Sequence, residues 1–207
     1  MTPLLRALRK IFGALDYVEF LDSFRYPLAG EFSMRQDVLR SIRIPADWGL
    51  EVGLLSEVYR NLSSRLICQA DIADGYDHKH QSVSEDDPDQ GLARMSTEIA
   101  KSIYRKLATE GITLTSERFR TIKATYYRIA LDMLQQHFDN ALFNGLRLDR
   151  HKEERVIEMF AQNLIVAGEN FLASPMERPF IANWNRVFSA IDDFADQLRE
   201  AVVADNA

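Results

Sequence analysis

The sequence has a single cysteine, Cys68, so no internal disulfide framework can hold it together. Set in an apolar run, Cys68 is expected to be a buried small hydrophobe in a reducing, cytoplasmic protein. No apolar run approaches the roughly 18 residues that a membrane span needs, and no secretory apolar segment opens the chain. Lys and Arg form no cluster and the net charge is −6, which argues against nucleic acid as the main partner. A Gly-rich phosphate loop, a Gly-x-Ser-x-Gly elbow and a plausible Cys–His pair are all missing, which removes the usual acyl-transfer chemistries. What is present is apolar: at 46% hydrophobic residues, the 207-residue chain can bury a core.

Leu4, Leu5 and Leu8, interleaved with Arg6, Arg9 and Lys10, fit a membrane-surface helix or, more commonly, a helix packed on a core. That helix runs from about Pro3 to Phe12. Asp16 to Phe24, with Tyr17, Val18, Phe20 and Phe24, reads as a strand. Pro27 to Phe32 reads as a turn into a helix from about Met34 to Ile42, stopped by Pro45. A helix from Leu50 to Leu62 places Leu50, Leu54, Leu55, Val58, Tyr59 and Leu62 on one face. Arg65 to Ile72 follows as the continuous apolar run of a buried strand. The first ninety residues therefore alternate helix and strand, too few strands for a complete doubly wound sheet.

Beyond an acidic loop at Ser82 to Gln90, helical spacing dominates. Helices are expected over Gly91 to Thr109, from Thr115 or Ser116 to a stop at Gly145, over Lys152 to Ala173, and over Ile181 to Val203. The fold class is mixed α/β and predominantly helical. Residues 1–90 form part of an α/β domain and residues 91–207 an all-helical bundle.

Chemistry concentrates between Asp47 and Gln81. Asp47 can cap the helix, Gly49 permits close backbone approach, and Glu51 lies in the first turn, where the helix dipole favours its ionised form. Acidic residues are common there without any function. Trp48 offers an indole that stacks on a sugar or base, or packs in a core. His78 and His80 would point the same way on an extended segment, near Asp71, Asp74 and Asp77, but their spacing matches no zinc pattern and is that of a solvated polar loop. His137 and His151 are assigned to structure. Arg25 and Arg35 bracket the turn at Gly30 and could grip an anion.

Three segments in order carry a resemblance: Pro27-Leu28-Ala29-Gly30-Glu31-Phe32, then Trp48-Gly49-Leu50-Glu51-Val52-Gly53-Leu54-Leu55, then Gln69-Ala70-Asp71 followed by His78-Lys79-His80-Gln81. Together they resemble the second half of glucosyl-3-phosphoglycerate synthases and the related mannosyl enzymes, over about residues 3 to 108. The resemblance implies the C-terminal part of a retaining GT-A (Rossmann-like) glycosyltransferase domain, followed by the helical bundle. It also implies a nucleotide-sugar donor, a glycerate or 3-phosphoglycerate acceptor, and a divalent metal, Mg2+ or Mn2+, in the complete enzyme. Glu51 then looks like the acidic residue of the family's Gly-x-Glu-x-Gly segment and is the candidate catalytic carboxylate. Gly30, Glu31, Trp48 and Gly49 are candidates for sugar and acceptor binding, with Trp48 where the family commonly has tyrosine. His78 looks like the family's metal-binding histidine, with His80 as fallback and Lys79 in place of an arginine.

The family's nucleotide-binding strands, Asp-x-Asp motif and Gly-Arg-x-Thr loop, which precede this region, are not found in the sequence. The chain is therefore expected to be half of a transferase, a fragment or a subunit, inactive alone. The competing expectation is a non-catalytic helical assembly or partner-binding protein, with a homo-oligomer such as a dimer formed through the bundle.

Overall fold

The computed structural model describes residues 1–72, 91–175 and 180–206. In chain order these form helices α1 (Thr2–Phe12), α2 (Asp16–Asp22) and α3 (Gln36–Ser41), strand β1 (Ile44–Pro45), helix α4 (Leu50–Asn61), helices α5 (Gly91–Thr109), α6 (Ser116–Phe143) and α7 (Arg150–Ala173), strand β2 (Phe180–Ile181), and helices α8 (Trp184–Ala190) and α9 (Phe194–Asp205). A single 3₁₀ turn, Ser64–Leu66, follows α4. The fold is predominantly helical, as its periodicity predicted. Among the described residues the only sheet is the antiparallel pairing of β1 with β2, Ile44 opposite Ile181 and Pro45 opposite Phe180.

The long helices form where capping and period agree. Thr115 accepts the Arg118 amide at the start of α6, and Asp149 accepts the Lys152 amide at the start of α7. α6 packs on α7, α7 on α5, and α1 lies across α6. The core joins Leu5 and Leu8 of α1, Tyr17 and Leu21 of α2, Ile103, Tyr104 and Leu107 of α5, Phe119 and Ile122 of α6, and Leu164 and Ala167 of α7. Thus α1 serves a protein core, the commoner of its two readings. Gly168 lets α7 approach α6 so closely that a β-carbon there would lie 2.4 Å from the Phe119 ring. Among the described residues no helix is long and apolar enough to cross a membrane.

Several expectations are corrected. Asp16 to Phe24 is not a strand: Tyr17, Val18 and Leu21 are buried together at i, i+1 and i+4, one helical face set against α1. Arg65 to Ile72 is not a buried strand. After the 3₁₀ turn it runs on irregularly and exposed, with Leu66 at 67% and Ile72 at 68% exposure, because nothing among the described residues covers it. Cys68 is accordingly exposed rather than buried. The face of α4 is partly as expected: Leu54 is buried and Leu55 and Tyr59 pack against the core, but the other buried residues are Val52, Gly53 and Glu57.

The single helix expected over Ile181 to Val203 breaks at Ile191, after a strand at its start. In a continuous helix Trp184 and Phe194 would be about 15 Å apart along the axis. The break brings their rings to 6.0 Å, and each also contacts Phe188, at 5.8 and 5.9 Å. The break is thus accompanied by ring contacts that a continuous helix would not allow. Asn183 fastens this segment to the front of the chain by donating to the Ser41 carbonyl at 2.8 Å.

Candidate functional site

Trp48, Gly49 and Glu51 come together at the start of α4, held there by α5. The Trp48 amide donates to Glu98 at 2.7 Å, and Arg94 steadies the same carboxylate at 2.9 Å. Asp47 accepts the Gly49 amide at 2.9 Å and the Arg105 guanidinium at 3.4 Å. Asp47 therefore closes the turn into α4 at Gly49, rather than accepting an amide from within the helix. Gly49 does serve a close approach, but to α5: a β-carbon there would lie 2.9 Å from both Asp47 Oδ1 and Ser102 Cβ.

This clamp leaves Trp48 45% exposed and Glu51 half-buried in the first turn of α4. An exposed indole presents an apolar face to a sugar ring, and a carboxylate beside it can accept hydrogen bonds from hydroxyl groups. Gly30 and Glu31 are exposed in the irregular segment between α2 and α3. Among the described residues a side chain at Gly30 would meet nothing within 4 Å, so none of them demands glycine there.

The two arginines that bracket that segment are committed to carboxylates of the same chain. Arg25 pairs with Asp71 at 2.6 Å, and Arg35 holds Asp37 through two bonds of 3.0 and 2.5 Å. The hydrogen bond from Arg35 is the main reason the Asp37 carboxyl is held below its ordinary range. Neither His78 nor His80 can be placed, since both lie outside the described residues. Among the described residues no group of three or more His, Cys, Asp and Glu side chains is arranged to hold a metal. Those residues alone do not make a metal centre.

Glu57 is the buried charge of this region, at 3% exposure. Burial works against its ionisation. Hydrogen bonds from the Arg43 side chain and amide, with the charges of Arg43 and Arg60, outweigh that and hold the carboxyl below its ordinary range. It ties the approach to β1 onto α4, upstream of the Trp48 turn.

The supporting residues on α5 were not legible beforehand. Arg94 and Glu98 have the spacing of an ordinary i, i+4 helix pair, which carries no hint that Glu98 also reaches a backbone amide fifty positions away.

The chain is 41% identical over 206 residues to the glucosyl-3-phosphoglycerate synthase of Persephonella marina, a match covering 100% of the chain and 51% of that protein. It is 40% identical over 204 residues to the protein of the same name from Methanococcoides burtonii, covering 98% of the chain and 50% of that protein. The chain is similar to glucosyl-3-phosphoglycerate synthases. The resemblance read from three segments thus extends through α9, well beyond residue 108, and the half-chain match is as expected. The chain spans about half the length of these curated relatives. No family model and no solved structure matches it.

Proposed function

We propose that the chain is part of a nucleotide-sugar-dependent hexosyltransferase that transfers glucose or mannose to a glycerate or 3-phosphoglycerate acceptor. The carrying observation is identity of 40 to 41%, sustained over essentially the whole chain, to two proteins named glucosyl-3-phosphoglycerate synthase. Residues 1–90 are the closing part of a GT-A (Rossmann-like) domain and residues 91–207 a helical extension. Nucleotide and donor binding fall to sequence outside this chain, which has no transferase activity alone. A divalent metal, Mg2+ or Mn2+, belongs to the complete assembly, with His78, or His80 in its place, as the residue to test. The assembly works in the cytoplasm.

On this reading the turn at the start of α4 forms the acceptor side. Transfer breaks the bond between the anomeric carbon and the nucleoside diphosphate and forms one to an acceptor hydroxyl oxygen, whose proton leaves with the departing diphosphate. Glu51 orients that hydroxyl by accepting its hydrogen bond, while Trp48 lines the sugar or acceptor. The Glu98 and Asp47 carboxylates hold the backbone of the turn at Trp48 and Gly49. The test joins the unmatched half of the Persephonella marina protein to the full 207-residue chain and assays transfer from a nucleotide sugar to 3-phosphoglycerate. In that chimera Glu51→Gln should lower kcat by about a hundredfold, and Trp48→Ala should raise the acceptor KM by about tenfold. Unchanged kinetics in both variants would remove the turn from the site.

A second reading has its own observation. Leu142, Phe143 and Leu146, at 68%, 90% and 66% exposure, crowd the far end of α6, where a helical assembly surface would lie. A homo-oligomer through that end is compatible with either function. Sedimentation of the chain alone tests it, and a concentration-independent monomer would dismiss it.

A further inference from the structure

Three consecutive residues of the turn before α4 are met by three residues of one helix. The Trp48 amide donates to Glu98 at 2.7 Å, and Asp47 accepts the Arg105 guanidinium at 3.4 Å. Gly49 lies so near Ser102 that a β-carbon would stand 2.9 Å from the serine's own. Glu98, Ser102 and Arg105 are spaced i, i+4 and i+7, so they form one stripe along α5. The core face of α5 is a different one, with Ile99, Ile103, Tyr104 and Leu107.

A polar stripe on a helix ordinarily faces water. This one lies under the turn: the Glu98 side chain is 16% exposed and that of Arg105 11%. Burying charge costs stability unless it is paired, and an apolar stripe would pack the two elements about as stably. What the polar stripe adds is direction. A carboxylate–amide hydrogen bond is satisfied over a narrow range of distance and angle, whereas apolar contact tolerates sliding. The other oxygen of Glu98 takes the Arg94 guanidinium at 2.9 Å, which limits rotation of the carboxylate.

We infer that Glu98 is a positioning residue for hexosyl transfer: by holding the Trp48 amide it sets where the Trp48 ring and the Glu51 carboxylate stand relative to the reacting groups. The helices after residue 90, to which α5 belongs, are then a working part of the site rather than an appendage. The inference rests on the hexosyltransferase reading, because this position matters only to a reaction that uses Trp48 and Glu51. A displacement of about 1 Å at such groups costs about a hundredfold in rate.

The test uses the full 207-residue chain joined to the unmatched half of the Persephonella marina protein, assayed for transfer from a nucleotide sugar to 3-phosphoglycerate. Glu98→Ala and Glu98→Asp, the second keeping the charge but shortening the reach, should each lower kcat by about tenfold well below the unfolding temperature. Glu98→Gln, whose side-chain oxygen still accepts the Trp48 amide, should restore most of that loss. A merely structural role would lower the unfolding midpoint and leave the kcat of the folded enzyme unchanged, and that outcome overturns the inference. So does an equal loss in the Gln and Ala variants, which would assign the effect to charge alone.

Position is read separately in the full chain by itself. The chain has two tryptophans, so Trp184→Phe leaves Trp48 as the one indole. Its emission should shift on Glu98→Ala and Glu98→Asp and return with Glu98→Gln. Emission unmoved by both overturns the inference even if the joined protein does not fold. A folded joined protein without transfer removes the hexosyltransferase reading and the inference with it, whereas transfer that neither Glu98→Ala nor Glu98→Asp slows removes only the inference.

Discussion

Single atoms decide most at the two glycines where helices and turns touch. A methyl group at Gly168 would lie 2.4 Å from the Phe119 ring, which Tyr104 and Phe171 flank at 4.8 and 6.3 Å. Gly168→Ala is expected to destabilise the chain by about 1–3 kcal/mol, read as a lower denaturant midpoint with the slope unchanged. Gly49→Ala meets Ser102 and Asp47 at 2.9 Å and should cost a similar amount while displacing Trp48, visible as a shift in its fluorescence.

Glu57 carries a pH signature. Its carboxyl is held below the ordinary range, so its contribution is complete above that range and is lost as pH falls through the folded-state value. Glu57→Gln should therefore be about 1–3 kcal/mol less stable near neutral pH, with the gap closing as pH falls below about 4. A gap independent of pH would show that the carboxylate's charge is not what stabilises the region.

At the scale of elements, buried polar links and aromatic contacts set the arrangement of helices. Asn163 of α7 is buried and donates to the Ala93 carbonyl at 3.2 Å and to Ser96 Oγ at 2.8 Å, both on α5. Asn163→Ala leaves those acceptors unmet and should cost about 1–3 kcal/mol, whereas Gln, with its longer reach, should not restore the loss. Trp184→Ala should release α9 from α8, giving faster amide exchange across Phe194–Asp205 with little change in α5 to α7.

The elements that were legible in the sequence are those whose stability is local: α5, α6 and α7 have long apolar periods, and α6 and α7 also have side-chain caps at Thr115 and Asp149. Those that were not legible depend on something outside their own window. α2 is seven residues long, and only its seat on α1 distinguishes Tyr17, Val18 and Leu21 from an alternating strand. The break before α9 is fixed by a ring contact ten residues apart. The run from Arg65 to Ile72 has the composition of a buried strand, but no covering partner is found among the described residues.

For the whole molecule, the candidate turn is reached from sequence by a different route than the fold. Glu51, Trp48 and Gly49 could be singled out because helix-start chemistry and segment order pointed to them, and the structure gathers them at one turn. What sequence could not supply was the grip of α5 on this turn, since Glu98 reaches the Trp48 amide and Arg105 the Asp47 carboxylate through contacts that no local pattern encodes. The front of the chain and the helices behind it are one packed unit. Core residues come from both sides of residue 90.

The central claim is that this unit supplies the acceptor side of a hexosyl transfer and needs the rest of the transferase to act. The most direct measurement is transfer of hexose from a nucleotide sugar to 3-phosphoglycerate, by the purified 207-residue chain alone and by the chain joined to the unmatched half of its Persephonella marina relative. The expected result is no product from the chain alone and a glycosylated phosphoglycerate from the joined protein. Product from the chain alone, or none from a joined protein that is folded and binds the donor, would contradict it.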